Sequence, residues 1–232
     1  MKQKTIFVTA LIVLLLAFVI GTLLYHAKPE NKVAPTPQAS SAAPAKVPQK
    51  SQADFAALMR MHSPALGRND APVVIVEFLD PACETCRAFY PVVKEIMAAN
   101  PDKIRLVLRY TPLHTGSDQV VAVLEAARKQ GKFWPALEAL LGAQAAWTPN
   151  HTAKLDLVWR HLEGLGLDLN KVRADMAAPE IARIIAQDVE DARTLGIQQT
   201  PSFFVNGRPL TDFGFEQLKD LVDDALNQAA RK

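Results

Sequence analysis

Two cysteines stand three positions apart at Cys83-Glu84-Thr85-Cys86, and they are the only cysteines in the 232-residue chain. Two sulfurs at this spacing can close a small disulfide ring, or one can attack a foreign disulfide and the other release it. A structural crosslink is a poor reason for the spacing, because a disulfide that closes so short a loop removes little chain entropy. Metal binding through the pair alone is also a poor fit, since structural zinc sites use four Cys or His ligands. The five histidines, His26, His62, His114, His151 and His161, form no second paired motif. His114 is the best candidate for a third ligand and reads first as a loop histidine, so no metal is expected.

The elements on either side must position these sulfurs. Val73-Val74-Ile75-Val76-Glu77-Phe78-Leu79 reads as a largely buried strand, and Asp80-Pro81-Ala82 ends it just before Cys83. Phe89, Val92, Val93, Ile96 and Met97 repeat at helical spacing, which predicts a helix from about Cys83 to Ala99. Cys83 then sits at the helix N-terminus, where unpaired N–H groups and the helix dipole favour a thiolate. Cys83 is expected to attack and Cys86 to resolve. Glu77 is an acid inside an apolar strand. Such a residue is costly unless paired or functional, and burial raises its pKa; the alternative is an edge position with the carboxylate in solvent.

Further along, Ile104 to Tyr110 reads as a second strand, and parallel pairing with the first makes a βαβ unit. No strand signal follows from about Ser117 to Leu195, where helices are predicted at Val120–Gln130, Phe133–Leu141, Leu155–Leu162 and Glu180–Leu195. Phe133, Trp134, Trp147 and Trp159 read as the core of this block. Strand character returns at Ser202 to Val205, Asn206-Gly207 is a hairpin signal, and a last helix is predicted from about Gly214 to Ala229. This order fits an α/β fold of helices on a small central sheet.

The N-terminal part differs in kind. Ile6 to Tyr25 is an uncharged, mostly aliphatic run of about 20 residues, long enough to cross a bilayer, so residues 1–27 read as a membrane anchor or signal. Residues 28–53, rich in Pro, Ala and Ser, read as a disordered tether. Six of the 26 basic residues but one of the 24 acidic residues lie in positions 1–50, so the rest of the chain is mildly acidic. That argues against nucleic-acid binding, which calls for a basic domain.

The stretch from Ser63 to Pro72 running into Val76-Glu77-Phe78-Leu79-Asp80-Pro81-Ala82-Cys83-Glu84-Thr85-Cys86 resembles the thioredoxin superfamily. More narrowly, it resembles the DsbA-like thiol:disulfide oxidoreductases of the bacterial envelope, over most of residues 54–232. The resemblance implies a thioredoxin fold with a helical insertion at about 115–195, a kink of the active-site helix at Pro91, and a cis-proline loop at Thr200-Pro201 beside the disulfide. It implies that Glu77 helps move the proton of the resolving cysteine and that the Thr200 backbone pairs with an extended substrate segment. No cofactor beyond the Cys83–Cys86 disulfide is implied. Expected partners are cysteine-containing proteins and a membrane or soluble redox partner, met by a monomer anchored in the inner membrane with its domain in the periplasm. Where the strongly oxidising DsbA pattern has Pro-His between the cysteines, this chain has Glu84-Thr85. A glutamate there would repel a thiolate, so a less oxidising couple is expected. Two readings of other classes stand beside this one: an envelope protein that binds copper through the two thiols, and a non-catalytic interaction module.

Overall fold

Two runs of β-branched and aliphatic residues form the centre of the sheet. In the computed structural model, which describes residues 56–231, β1 is Ala65–Leu66, β2 is Val73–Leu79, and α1, Glu84–Ala99, leads to β3 at Ile104–Tyr110. β2 and β3 pair in parallel from Val73 opposite Ile104 to Leu79 opposite Tyr110, as a βαβ crossover requires. β4, Ser202–Val205, runs antiparallel on the other side of β2, with β5 at Arg208–Pro209 beyond it, and β1 runs antiparallel along β3. The order is therefore β1-β3-β2-β4-β5, and β2 lies in the middle.

Between β3 and β4 the chain is helical: α2 at Ser117–Lys129, α3 at Phe133–Gly142, α4 at Gln144–Trp147, α5 at Leu155–Val158, α6 at Leu169–Asp175 and α7 at Pro179–Thr194. The last helix, α8, spans Phe215–Ala229. This is the thioredoxin fold with a helical insertion. Trp147 and Phe133 are buried within the insertion and Trp134 and Trp159 half-buried, while the Trp147 indole donates to the Leu140 carbonyl at 2.8 Å. Three elements escaped the sequence pattern. β1 has two residues, and α4 and α6 are one and two turns long, too short for a periodicity to register. The helix expected over 155–162 is α5 followed by a 3₁₀ turn at Trp159–His161.

Side-chain alternation divides the strands between two faces. Val73, Ile75 and Leu79 of β2 and Leu106, Leu108 and Tyr110 of β3 face the main core with α1 and α8; Val76, Phe78 and Val107 face a second cluster with Leu58 and Ala192. Glu77 shares the parity of the first set and Arg109 that of the second. The apolar run at residues 6–25 and the tether at 28–53 lie outside the described residues. Among those described, no helix is long and apolar enough to cross a membrane.

Candidate active site

The strand ends at Leu79, and the turn that follows is tied down by one carboxylate. Asp80, fully buried, accepts from the backbone of Ala82 at 2.8 Å, Leu113 at 2.7 Å and His114 at 2.9 Å. It also accepts from the Ser117 hydroxyl and meets His114 Nδ1 at 2.7 Å. The Asp80 carbonyl in turn takes the Cys83 N–H at 3.0 Å. Gln144, from the insertion, clamps the same turn by donating to the carbonyls of Pro81 at 2.8 Å and Cys83 at 3.0 Å.

Held in this way, Cys83 is the N-cap of α1, with φ −81° and ψ 121°, and its sulfur accepts from the Cys86 N–H at 3.4 Å. An extended N-cap whose side chain faces the first-turn donors gives Cys83 the setting anticipated for the nucleophile. Both cysteines are free thiols, Cys83 only 6% exposed and Cys86 fully buried. The hydrogen bond with the Cys86 side chain chiefly lowers the Cys83 pKa. Burial opposes it, but the Thr200 side chain and the N–H groups of Cys86 and Thr85 add to it, and the value comes to about 5. Burial pushes Cys86 the other way, helped by its bond to Cys83 and by the charges of Glu77 and Cys83. One sulfur is a thiolate at neutral pH and its neighbour a thiol.

Thr200-Pro201 is cis, and the Thr200 carbonyl lies 3.2 Å from the Cys83 sulfur, which donates to it when protonated. Glu77 is on the central strand, fully buried, with Leu108 and Phe203 as its register partners; the edge position is excluded. Neither of its carboxylate oxygens has a hydrogen-bond partner among the described residues. Burial raises its pKa to about 8, with the Cys83 charge adding to the effect. Pro91 lies inside α1, and its missing N–H leaves the Arg87 carbonyl without its helical donor.

The Glu84 carboxylate pairs with His151, 2.9 Å from its Nδ1. Glu84, His114 and His151 each bring a ligand-type atom within 4.8 Å of the others. The sequence pattern did not link these three, nor did it single out Asp80 or Gln144. The nearest signal was Asp80-Pro81 at the strand end, read only as a breaker.

The comparisons with known proteins agree with the fold. A family model described as thioredoxin matches residues 60–224. A thioredoxin-like oxidoreductase of Silicibacter pomeroyi is 35% identical, with TM-score 0.65 over 74% of this chain and 97% of that one. BdbD of Bacillus subtilis, 21% identical, has TM-score 0.62 over 72% of this chain and 94% of its own. α-DsbA1 of Wolbachia pipientis, 19% identical, has TM-score 0.67 over 76% and 97%. The last two likenesses are of fold. Among curated proteins, the Na⁺/H⁺ antiporter NhaA 3 of Salinispora tropica is 37% identical over 145 residues, covering 61% of this chain and 21% of the antiporter. This chain thus spans about a fifth of the length of that relative.

Proposed function

The chain belongs to the thioredoxin family, and from that premise we propose that it exchanges disulfides with cysteine-containing proteins outside the cytoplasm through Cys83 and Cys86, with no further cofactor. The observation that carries this reading is the division of roles between the sulfurs: an N-cap thiolate with a pKa of about 5 one turn from a buried thiol. In the reducing direction the Cys83 thiolate attacks a substrate disulfide, forming a Cys83–substrate disulfide and releasing one substrate thiolate. Cys86 then loses its proton and attacks the Cys83 sulfur, releasing the second substrate thiolate. Two electrons pass from the dithiol to the substrate. Oxidation of a substrate dithiol is the same path reversed.

Glu77 acts through Cys86. Its raised pKa comes from burial and, secondly, from the Cys83 charge. That charge disappears when Cys83 enters the mixed disulfide. Glu77 then becomes easier to ionise at the moment when Cys86 must give up its proton, and its charge is felt at Cys86, so its carboxylate is the base assigned to receive it. The Thr200 carbonyl beside the sulfur offers a backbone edge on which an extended peptide can lie.

A Cys83 pKa of about 5 lies between the thiols of DsbA, at about 3.5, and thioredoxin, at about 7. Because stabilising the thiolate stabilises the reduced form, the couple should lie between about −120 and −270 mV, less oxidising than DsbA. The hydropathy of residues 6–25 supports a membrane tether that keeps the domain in an oxidising compartment. The deciding experiment equilibrates the full-length chain in glutathione buffers and follows Cys86→Ser for trapped mixed disulfides. A value above about −180 mV favours disulfide donation and one near −270 mV favours reduction. Absence of any Cys83-linked adduct in Cys86→Ser would sink the exchange reading.

A further inference from the structure

The cluster at the mouth of the active site has not been used by the exchange reaction. His114 comes from the loop after β3, His151 from the 3₁₀ turn Pro149–His151, and Glu84 from the first turn of α1. We propose that Glu84, His114 and His151 form a binding site for a borderline divalent cation of the zinc class, and that its occupation covers Cys83.

The site has the parts such an ion needs. Two imidazoles and one carboxylate are a donor set that holds zinc while leaving a fourth position open. His114 is already oriented: its Nδ1 lies 2.7 Å from Asp80, which leaves Nε2 as its free nitrogen. A buried carboxylate holding the far nitrogen of a ligating histidine is the usual outer partner of a zinc ligand. Asp80 is itself fixed by four further donors. The two histidine segments are brought together by a close approach that only glycine permits. Gly116 has φ +79°, and a Cβ there would lie 2.6 Å from the Ala153 carbonyl oxygen. Asn150 and His151 both adopt left-handed backbone, φ 52° and 55°, which ordinary residues enter at a cost.

The three ligand atoms lie within 4.8 Å of one another, whereas donors around a tetrahedral zinc with bonds of about 2.0 Å lie about 3.3 Å apart. Glu84 and His151 are both well exposed and can close that difference by side-chain rotation around the fixed His114. Cys83 and His114 are both held by Asp80, through its carbonyl and its carboxylate, and Glu84 follows Cys83 in the chain, so an ion on these ligands lies close to the sulfur. The cation binds without electron transfer, displacing protons or waters from the donors.

The test uses the full-length chain with both sulfurs in the disulfide, so that the cysteines cannot serve as ligands and the outcome does not depend on the exchange reading. Titration with Zn²⁺ by calorimetry should find one ion per chain, weakened about 10-fold or more by His151→Ala and by His114→Gln. No saturable binding by the oxidised chain, or unchanged binding by the variant carrying both substitutions, overturns the site. In the reduced chain Zn²⁺ should slow alkylation of Cys83 by iodoacetamide, and His151→Ala should remove most of that protection. Protection that survives His151→Ala puts the ion on the cysteine pair and overturns the covering role.

Discussion

Two ionisable side chains are buried in the same small sheet, on opposite faces and in neighbouring strands, and they are treated in opposite ways. Arg109 of β3 has every nitrogen engaged: Nε and one terminal nitrogen reach Asp188 at 3.1 and 2.7 Å, the same nitrogen reaches Asp191, and the other donates to the Ala57 carbonyl. Its partners are held in turn. Asp188 accepts from the Tyr110 N–H at 2.9 Å and meets His62 at 2.7 Å, and Asp191 accepts two bonds from Arg60. Burial works to raise the Asp191 pKa, but the bonds from Arg60 and Arg109 prevail and lower it. Glu77 of β2 has no hydrogen-bond partner among the described residues. A saturated network fixes its charges in one state, whereas an unpartnered acid is left free to change its own. The first ties the segment before β1 and α7 to one face of the sheet. The second leaves, on the other face, a buried acid that is electrostatically coupled to the cysteines.

The contrast breaks most visibly at Arg109. Replacing it with leucine leaves Asp188 and Asp191 buried without their shared cation, and removing one member of a buried ion pair costs about 3–5 kcal/mol. Urea unfolding of Arg109→Leu should show a loss of that size. Disulfide exchange per folded molecule should remain near wild type, because the network lies on the face away from the sulfurs. A variant that keeps its stability would mean that the network is not structural.

Glu77→Leu should move in the other direction. An orphaned buried carboxyl costs about 1–3 kcal/mol even when neutral, so the variant should be at least as stable as wild type. The gap should widen with pH. The folded-state pKa of Glu77 is about 8, above its ordinary 4.5, so between those values the folded chain holds a proton that the unfolded chain has released. The stability contributed by neutral Glu77 is complete below about 4.5 and is lost as pH rises towards 8, by about 5 kcal/mol in all. Leucine abolishes this slope, and the oxidised wild type should show a weaker one because Cys83 then carries no charge. Resolution of the mixed disulfide should slow about 10-fold or more in the variant, with its pH profile displaced upward. An unchanged profile would remove Glu77 from the proton path.

What the sequence revealed and what it hid follow the same division between local and distant interactions. The strand before Cys83, the helix after it, the Asn206-Gly207 hairpin and the buried position of Glu77 were legible because each rests on neighbours in the chain. Thr200-Pro201 became legible through family resemblance. The saturated network was not legible: Arg109 meets acids 79 and 82 residues away, and in the chain Asp188 and Asp191 look like the solvated acids of an amphipathic helix. Asp80 and Gln144 were missed for the same reason, since all the partners of their side chains named above but Ala82 lie 33 to 63 residues off. Glu84 and His151 were each seen, but nothing local joins them.

Cys83 offers a smaller change that sharpens the comparison on the active face. Its pKa of about 5 is below the ordinary 9, so the reduced folded chain has released a proton that the unfolded chain still holds between those values. The stability this contributes is present above 9 and is lost as pH falls towards 5, opposite in sign to Glu77. Thiolate absorbance in Cys86→Ala should titrate above the wild-type midpoint, because the hydrogen bond with Cys86 is the chief cause of the low value. An unchanged midpoint would assign the thiolate to the helix N–H groups instead.

The smallest effect belongs to the rim of the saturated network. His62 meets Asp188 at 2.7 Å but is 23% exposed at its side chain, while Arg109 against the same carboxylate is wholly buried. Water can replace the imidazole at Asp188 Oδ1, which keeps its two bonds from Arg109. His62→Ala should therefore cost no more than about 1 kcal/mol, the range of solvent-screened pairs. Combining it with Arg109→Leu measures how far the network acts as a unit. If His62 matters only as a member, the double variant should lose little beyond Arg109→Leu alone; additive losses would make the histidine an independent contact.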